Sequence, residues 1–200
     1  MIKNIIFDIG KVLVRFDWED YLAAFQFSEE ETKAIAHAMF LSPNWNLVDE
    51  GRLSYEEIEQ IFVNSCPDYA EDIRLVFAHF GDCITRFPYT RHWLSSLRQQ
   101  GYQLYYLSNY GDFTCQYTRN DLDFRDLMDG GIMSYEVKCL KPEPAIYQSL
   151  FRKYNLIPEE CVFIDDNAAN IEAAKELGMY TILFKDYFEA QKQLKVLYNN

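Results

Sequence analysis

Asn4-Ile5-Ile6-Phe7-Asp8-Ile9-Gly10 opens the chain with a short apolar run that closes on a carboxylate. Two later runs repeat the form, Leu104-Tyr105-Tyr106-Leu107-Ser108-Asn109 and Val162-Phe163-Ile164-Asp165-Asp166-Asn167, and Lys141-Pro142 falls between them. An unbroken apolar run of four or five residues bounded by Gly, Asn or Pro reads as a strand buried on both faces. Open parallel sheets bind ligands beyond the carboxyl ends of their strands, so the polar groups that end these runs stand where a site forms. The pattern predicts an enzyme with its chemistry at the edge of an α/β sheet.

Outward from these runs, the first strand is followed by a long stretch of helical signals. Trp18 to Phe25 and Ser28 to Phe40 read as helices, the second opened by the capping box Ser28-x-x-Glu31. A second box, Ser54-x-x-Glu57, opens a helix with Ile58, Ile61 and Phe62 on one face, and Ile73, Val76, Phe77 and Phe80 repeat at helical spacing. No strand signal interrupts this block, which predicts a helical insertion over residues 16–87. From Tyr89 strands and helices alternate. A helix ends at Gly101, and strands are expected at Gln103–Leu107, Gly131–Ser134, Cys161–Ile164 and Tyr180–Leu183. Helices are expected at Pro144–Tyr154, Ala168–Leu177 and Phe188–Leu197, with helical turns between Asp112 and Met128. Five short strands alternating with helices imply a doubly wound parallel sheet, formed by residues 1–15 and 88–200.

Composition narrows the partners. At 49% hydrophobic and 25% charged, the 200-residue chain fits one globular unit with a small inserted one. No apolar stretch approaches the roughly 18 residues that a membrane helix needs. Met1-Ile2-Lys3 runs straight into a strand, with Asp8 where a signal peptide would keep its apolar region, so retention in the cytoplasm is expected. A net charge of −12 with scattered Lys and Arg argues against a nucleic-acid surface. Cys66, Cys83, Cys115, Cys139 and Cys161 form an odd set with no C-x-x-C pair, which predicts reduced thiols rather than zinc ligands or disulfides. His37, His79 and His92 show no partner at ligand spacing, and no feature sets an oligomeric state.

Singly, Asp8, Ser108-Asn109 and Lys141-Pro142 have ordinary readings as caps, turns or an exposed loop. Asp165-Asp166 is harder to explain that way. If Asp8 joins the pair, like charges about 4 Å apart cost roughly 4 kcal/mol per pair at an effective dielectric of 20. A cation offsets that repulsion, and an all-oxygen donor set suits Mg²⁺, which keeps waters or phosphate oxygens in its other positions.

In this order and spacing the four clusters resemble the haloacid dehalogenase superfamily of aspartate-nucleophile hydrolases, and the resemblance covers nearly the whole chain. It implies a Rossmann-like core with an inserted helical cap. Asp8 then matches the nucleophile, Ser108 the hydroxyl that binds the transferring phosphoryl group with Asn109 beside it, and Lys141 the lysine that offsets charge on both. Asp165 and Asp166 match the acidic Mg²⁺-binding motif, Asp166 as the stronger ligand candidate, with Asp8 and the Gly10 carbonyl completing the metal site.

One position departs from the pattern. Most phosphatases of the superfamily carry a second aspartate two residues after the nucleophile as general acid and base, and here that residue is Gly10. Dehalogenases also lack it, which opens a metal-free dehalogenase as an alternative. Asp8-Ile9-Gly10-Lys11-Val12-Leu13-Val14 resembles instead a subgroup that includes the α-glucose-1-phosphate phosphatases, and the acidic pair favours phosphatase. With no proton donor at residue 10, the implied substrate is a small phosphorylated metabolite with an acidic leaving group, such as a sugar 1-phosphate. A non-catalytic relative is a third reading, and it predicts loss of Asp8 or the acidic pair. Within the insertion, Asn44-Trp45-Asn46 and Asp49-Glu50-Gly51-Arg52 are the specificity candidates, with Trp45 and Arg52 as substrate contacts.

Overall fold

The computed structural model describes residues 2–198. Strand β1 (Asn4–Phe7) is buried at all four positions and leads to β2 (Val14–Phe16). Five helices follow: α1 (Trp18–Ala23), α2 (Glu29–Ala38), α3 (Trp45–Glu50), α4 (Tyr55–Ser65) and α5 (Ala70–Ala78). The chain returns through β3 (Ile84–Arg86), then α6 (Thr90–Gln99), β4 (Gln103–Ser108), α7 (Asp112–Tyr117), β5 (Gly130–Met133), α8 (Ser134–Val137) and α9 (Pro144–Tyr154). It closes with β6 (Cys161–Asp165), α10 (Ala168–Glu176), β7 (Tyr180–Leu183) and α11 (Tyr187–Tyr198).

Five strands form one parallel sheet in the order β5-β4-β1-β6-β7. The period-two alternation of β1 divides the core. Ile5 and Phe7 pack with Trp93, Leu94 and Leu97 of α6 and with Leu194 of α11. Ile6 faces the other way, onto Ile146, Tyr147 and Leu150 of α9 and Ile171 of α10. Helices therefore cover both faces, the doubly wound arrangement expected from the apolar runs. Strand order reverses at β1, between β4 and β6, so the crevice beyond the ends of β1 and β6 is the switch point where such sheets bind ligands.

The helices α1 to α5 enclose their own apolar cluster, including Leu22, Ile35, Met39, Ile58, Phe62 and Phe77. Both capping boxes form: Ser28 and Ser54 accept from the N–H of Glu31 and Glu57, whose carboxylates reach back to the serine N–H. Two strands absent from the sequence reading tie off the ends of this stretch. Val14–Phe16 pairs antiparallel with Ile84–Arg86, in the register Arg15 to Thr85. Each is three residues long, too short to show alternation, and the partners lie about 70 residues apart in the chain. Helices α3 and α8 were also missed, since six and four residues are shorter than any periodicity window. No helix among the described residues is long and apolar enough to cross a membrane, and all five cysteines are free.

Candidate active site

The end of β1 delivers Asp8 to the switch point. Its N–H still donates to the Ile164 carbonyl of β6 (2.9 Å), so the sheet ladder fixes the backbone while the side chain turns into the crevice. Asp8 Oδ1 accepts from Ser108 Oγ at the end of β4 (2.8 Å) and from the Ile9 N–H (2.7 Å), and lies 2.8 Å from Lys141 Nζ. Among the described residues no donor is bonded to Oδ2. Lys141 Nζ also donates to Asp165 Oδ2 (2.7 Å), so one ammonium bridges two carboxylates with its side chain 1% exposed.

A buried lysine needs a rigid support, and Asn109 supplies one. Its Oδ1 accepts from the Lys141 N–H (2.7 Å) and its Nδ2 donates to the Lys141 carbonyl (3.1 Å). Asn109 lines the crevice, but its amide is committed to holding the Lys141 backbone. Burial alone lowers the Lys141 pKa; the Asp8 and Asp165 charges outweigh it and hold the ammonium above its usual range. Burial pushes the Asp8 carboxyl up, Lys141 opposes, and Asp165 adds to the rise.

The two adjacent aspartates differ. Asp165 is fully buried, and both its oxygens are already taken: Oδ1 by the Asn167 N–H (2.7 Å) and Asn170 Nδ2 (3.1 Å), Oδ2 by Lys141 and Asn170 Nδ2 (3.0 Å). Asp166 stands part-exposed beside the crevice, its carboxyl raised by burial and by Asp165 and lowered by Lys11 and Lys141. One carboxylate oxygen from each of Asp8, Asp165 and Asp166 falls within 4.8 Å of the others. This compact, hard, all-oxygen donor set fits Mg²⁺. The saturation of Asp165 leaves Asp8 and Asp166 as the carboxylates with oxygens to spare.

A cavity of about 330 Å³ opens over these groups. Asp8, Gly10, Ser108, Asn109, Lys141 and Asp166 line its floor, and Trp45 and Asp49 of α3 line it from the inserted helices. Trp45 also sits in an aromatic cluster, with ring centroids 4.9 Å from Phe40 and 5.7 Å from Phe80, so it packs and faces the cavity at once. Arg52 does not line the cavity. Its Nη2 donates to the Lys138 carbonyl (2.5 Å) and its Nε lies 3.4 Å from Glu50, which makes it a tie between the insertion and α8. Sequence reasoning missed Asn170, Tyr110 and Thr114. Thr114 Oγ1 is buried in the cavity wall with no hydrogen-bond partner among the described residues. Asn170 carried a signal, lying one helical turn beyond Asp165-Asp166 on the helix they introduce; Thr114 carried none.

A strand-end carboxylate, a buried lysine and an acidic cluster at the switch point of a doubly wound sheet are the arrangement that carboxylate-dependent hydrolysis requires. Residues 2–178 match the haloacid dehalogenase-like hydrolases, and the chain belongs to that family. It is 26% identical, over the whole of both chains, to D-ribitol-5-phosphate phosphatase of Bacteroides thetaiotaomicron. A HAD family enzyme of the same organism, in complex with magnesium and inorganic phosphate, superposes with a TM-score of 0.76 at 25% identity, over 95% of this chain and 99% of that one. L-2-haloacid dehalogenase of Xanthobacter autotrophicus shares the fold, with a TM-score of 0.67 at 18% identity, over 90% of this chain and 76% of that one.

Proposed function

We propose that this protein is a Mg²⁺-dependent phosphatase that hydrolyses a small sugar or polyol phosphate through an aspartyl-phosphate on Asp8. The observation that carries the reading is the clamp on Asp8. Ser108 and Lys141 engage Oδ1, which fixes the orientation of the carboxylate and offsets its charge at the switch point. Asp8 attacks phosphorus in line, the alcohol departs, and water then releases phosphate and regenerates the carboxylate. Ser108 Oγ and Lys141 Nζ flank the attacking group and offer donors to the non-bridging oxygens. Asp8, Asp166 and the Gly10 carbonyl would hold Mg²⁺, with Asp165 keeping Lys141 in place. When bound, the ion supplies positive charge against the phosphoryl oxygens.

Residues 16–87 act as a cap that excludes water and selects the leaving group. The ring of Trp45 and the unpartnered Thr114 hydroxyl suit a hydroxylated carbon chain, and the cavity volume suits a small one. The magnesium and phosphate in the related structure and the ribitol phosphatase among the relatives support the same class. A sugar 1-phosphate is the substrate that Gly10 alone favours, because its anomeric oxygen leaves without a strong acid. The test is hydrolysis of sugar phosphates, polyol phosphates and an aryl phosphate with Mg²⁺ and with EDTA, in the wild type and in Asp8→Asn. Turnover that needs both the cation and Asp8 is expected. Full activity in EDTA, or dechlorination of 2-chloropropionate, would favour the dehalogenase chemistry instead.

A further inference from the structure

Phosphate-ester hydrolysis through a carboxylate needs a proton twice, once on the departing alkoxide and once off the attacking water. Gly10 offers no side chain for either transfer. Of the ionisable groups that line the cavity, Asp8 and Asp166 belong to the nucleophile and metal positions, Lys11 and Lys141 are cations, and Tyr110 OH is bonded to Thr118 Oγ1 (2.7 Å). Asp49, on α3 of the insertion, is the remaining carboxyl. No Lys, Arg or His pairs with it among the described residues.

The backbone around Asp49 is held against the core. Ser134 Oγ donates to the Asp49 carbonyl (2.5 Å), Lys138 Nζ donates to the Gly51 carbonyl, and Arg52 donates to the Lys138 carbonyl. Gly111 lets α3 approach: a Cβ there would stand 2.2 Å from the Val48 carbonyl oxygen. A carboxyl with no cationic partner, facing a cavity that two other aspartates, Asp8 and Asp166, also line, is costly, and such an arrangement marks functional groups.

We propose that Asp49 is the general acid and base of this enzyme, taking from the inserted helices the role that Gly10 leaves open; the proposal rests on the phosphatase reading above. As the Asp8–phosphorus bond forms and the bond from phosphorus to the alcohol oxygen breaks, the Asp49 carboxyl gives its proton to that oxygen. Its carboxylate then takes a proton from the water that attacks the aspartyl-phosphate, the phosphorus–Asp8 bond breaks, and Asp49 returns to its starting state. Burial, with the Asp8 charge adding and Lys141 and the Gly111 N–H opposing, pushes its pKa up to about 7, within reach of both protonation states at neutral pH. The acid is in place only while α3 is docked, so proton transfer is tied to the position of the insertion, and alkyl phosphates become substrates alongside sugar 1-phosphates.

The experiment measures alcohol release in the first turnover, at saturating Mg²⁺, from p-nitrophenyl phosphate, glucose 1-phosphate, glucose 6-phosphate and ribitol 5-phosphate. Wild type, Asp49→Asn, and Asp49→Asn combined with Gly10→Asp are compared, with melting curves for each. In Asp49→Asn the loss should grow as the leaving group becomes less acidic, reaching roughly 10² to 10⁴-fold in rate constant on the 5- and 6-phosphates. Gly10→Asp should restore at least part of that loss, since a Cβ at residue 10 meets no atom within 4 Å. An equal loss on every substrate, a change in KM alone, or a wild type that already discriminates strongly against the 6-phosphate overturns the proposal. A folded wild type that hydrolyses none of these esters overturns the phosphatase reading itself, and the role of Asp49 with it.

Discussion

Lys141 Nζ stands 2.8 Å from Asp8 Oδ1 while donating to Asp165 over 2.7 Å, so the candidate nucleophile shares its counter-ion with a carboxylate that is 0% exposed. Breaking such a buried arrangement by removing one partner typically costs about 3–5 kcal/mol, because the remaining charges stay buried without compensation. Lys141→Ala should therefore lower the melting temperature sharply at pH 8. The deficit should shrink as pH falls toward 5, where the orphaned Asp8 carboxyl, already pushed up by burial and now without the opposing ammonium, takes up a proton and sheds its charge. A melting-temperature difference independent of pH would show that Lys141 acts through packing alone.

Asp165 and Asp166 should separate cleanly on substitution. Asp165→Asn places an amide among the Lys141, Asn170 and Asn167 donors, and should cost about 3 kcal/mol in urea unfolding. Asp166→Asn should leave that unfolding free energy nearly unchanged and raise the Mg²⁺ concentration for half-maximal activity at least tenfold. Matching effects of the two variants on stability would contradict the division of labour between them.

Asp49 carries a stability signature of its own. Its folded pKa lies above the ordinary value of 3.8, so the folded state binds more protons than the unfolded chain between about pH 4 and 7. Its contribution to stability then falls as pH rises through that window and is least favourable above about 7. Asp49→Asn should melt higher than the wild type at pH 8, and the gain should fade toward pH 4. A variant that melts lower at pH 8 would identify Asp49 as a structural carboxylate.

Thr114 tests the hydroxylated substrate. Among the described residues its Oγ1 has no partner to lose, so Thr114→Val should leave the fold as stable or slightly more so. Loss of one neutral hydrogen bond of about 0.5–1.5 kcal/mol corresponds to roughly a threefold to tenfold rise in KM for the sugar or polyol phosphate relative to an aryl phosphate. An unchanged ratio would remove Thr114 from the recognition surface.

Gly111→Ala probes the seat of the insertion. The added methyl would meet the Val48 carbonyl at 2.2 Å and push α3 off the loop after β4. Turnover of alkyl phosphates should fall more than that of p-nitrophenyl phosphate, as for Asp49→Asn. Melting curves and the rate ratio between the two substrates report the outcome.

The core was readable because its signals are local. Unbroken apolar runs such as Ile5-Ile6-Phe7 and Val162-Phe163-Ile164 can be satisfied only by a strand covered on both faces, and the capping boxes at Ser28 and Ser54 are reciprocal hydrogen bonds within three residues. The polar ends of those runs follow from the same order, since parallel strands bring their carboxyl ends to one edge. What escaped depends on partners distant in the chain. The β2–β3 ribbon joins two three-residue segments that reach strand geometry only by pairing with each other. Arg52 reads as a ligand by its chemistry, yet it turns to the Lys138 carbonyl because α3 packs on α8. Asp165 and Asp166 look alike in sequence, and only the donors that Lys141 and Asn170 bring to one of them make the first a buried support and leave the second open. Residue order determined which groups reach the sheet edge; packing between the insertion and the core decided which of them face the cavity, because burial and hydrogen-bond supply are properties of neighbours rather than of sequence position.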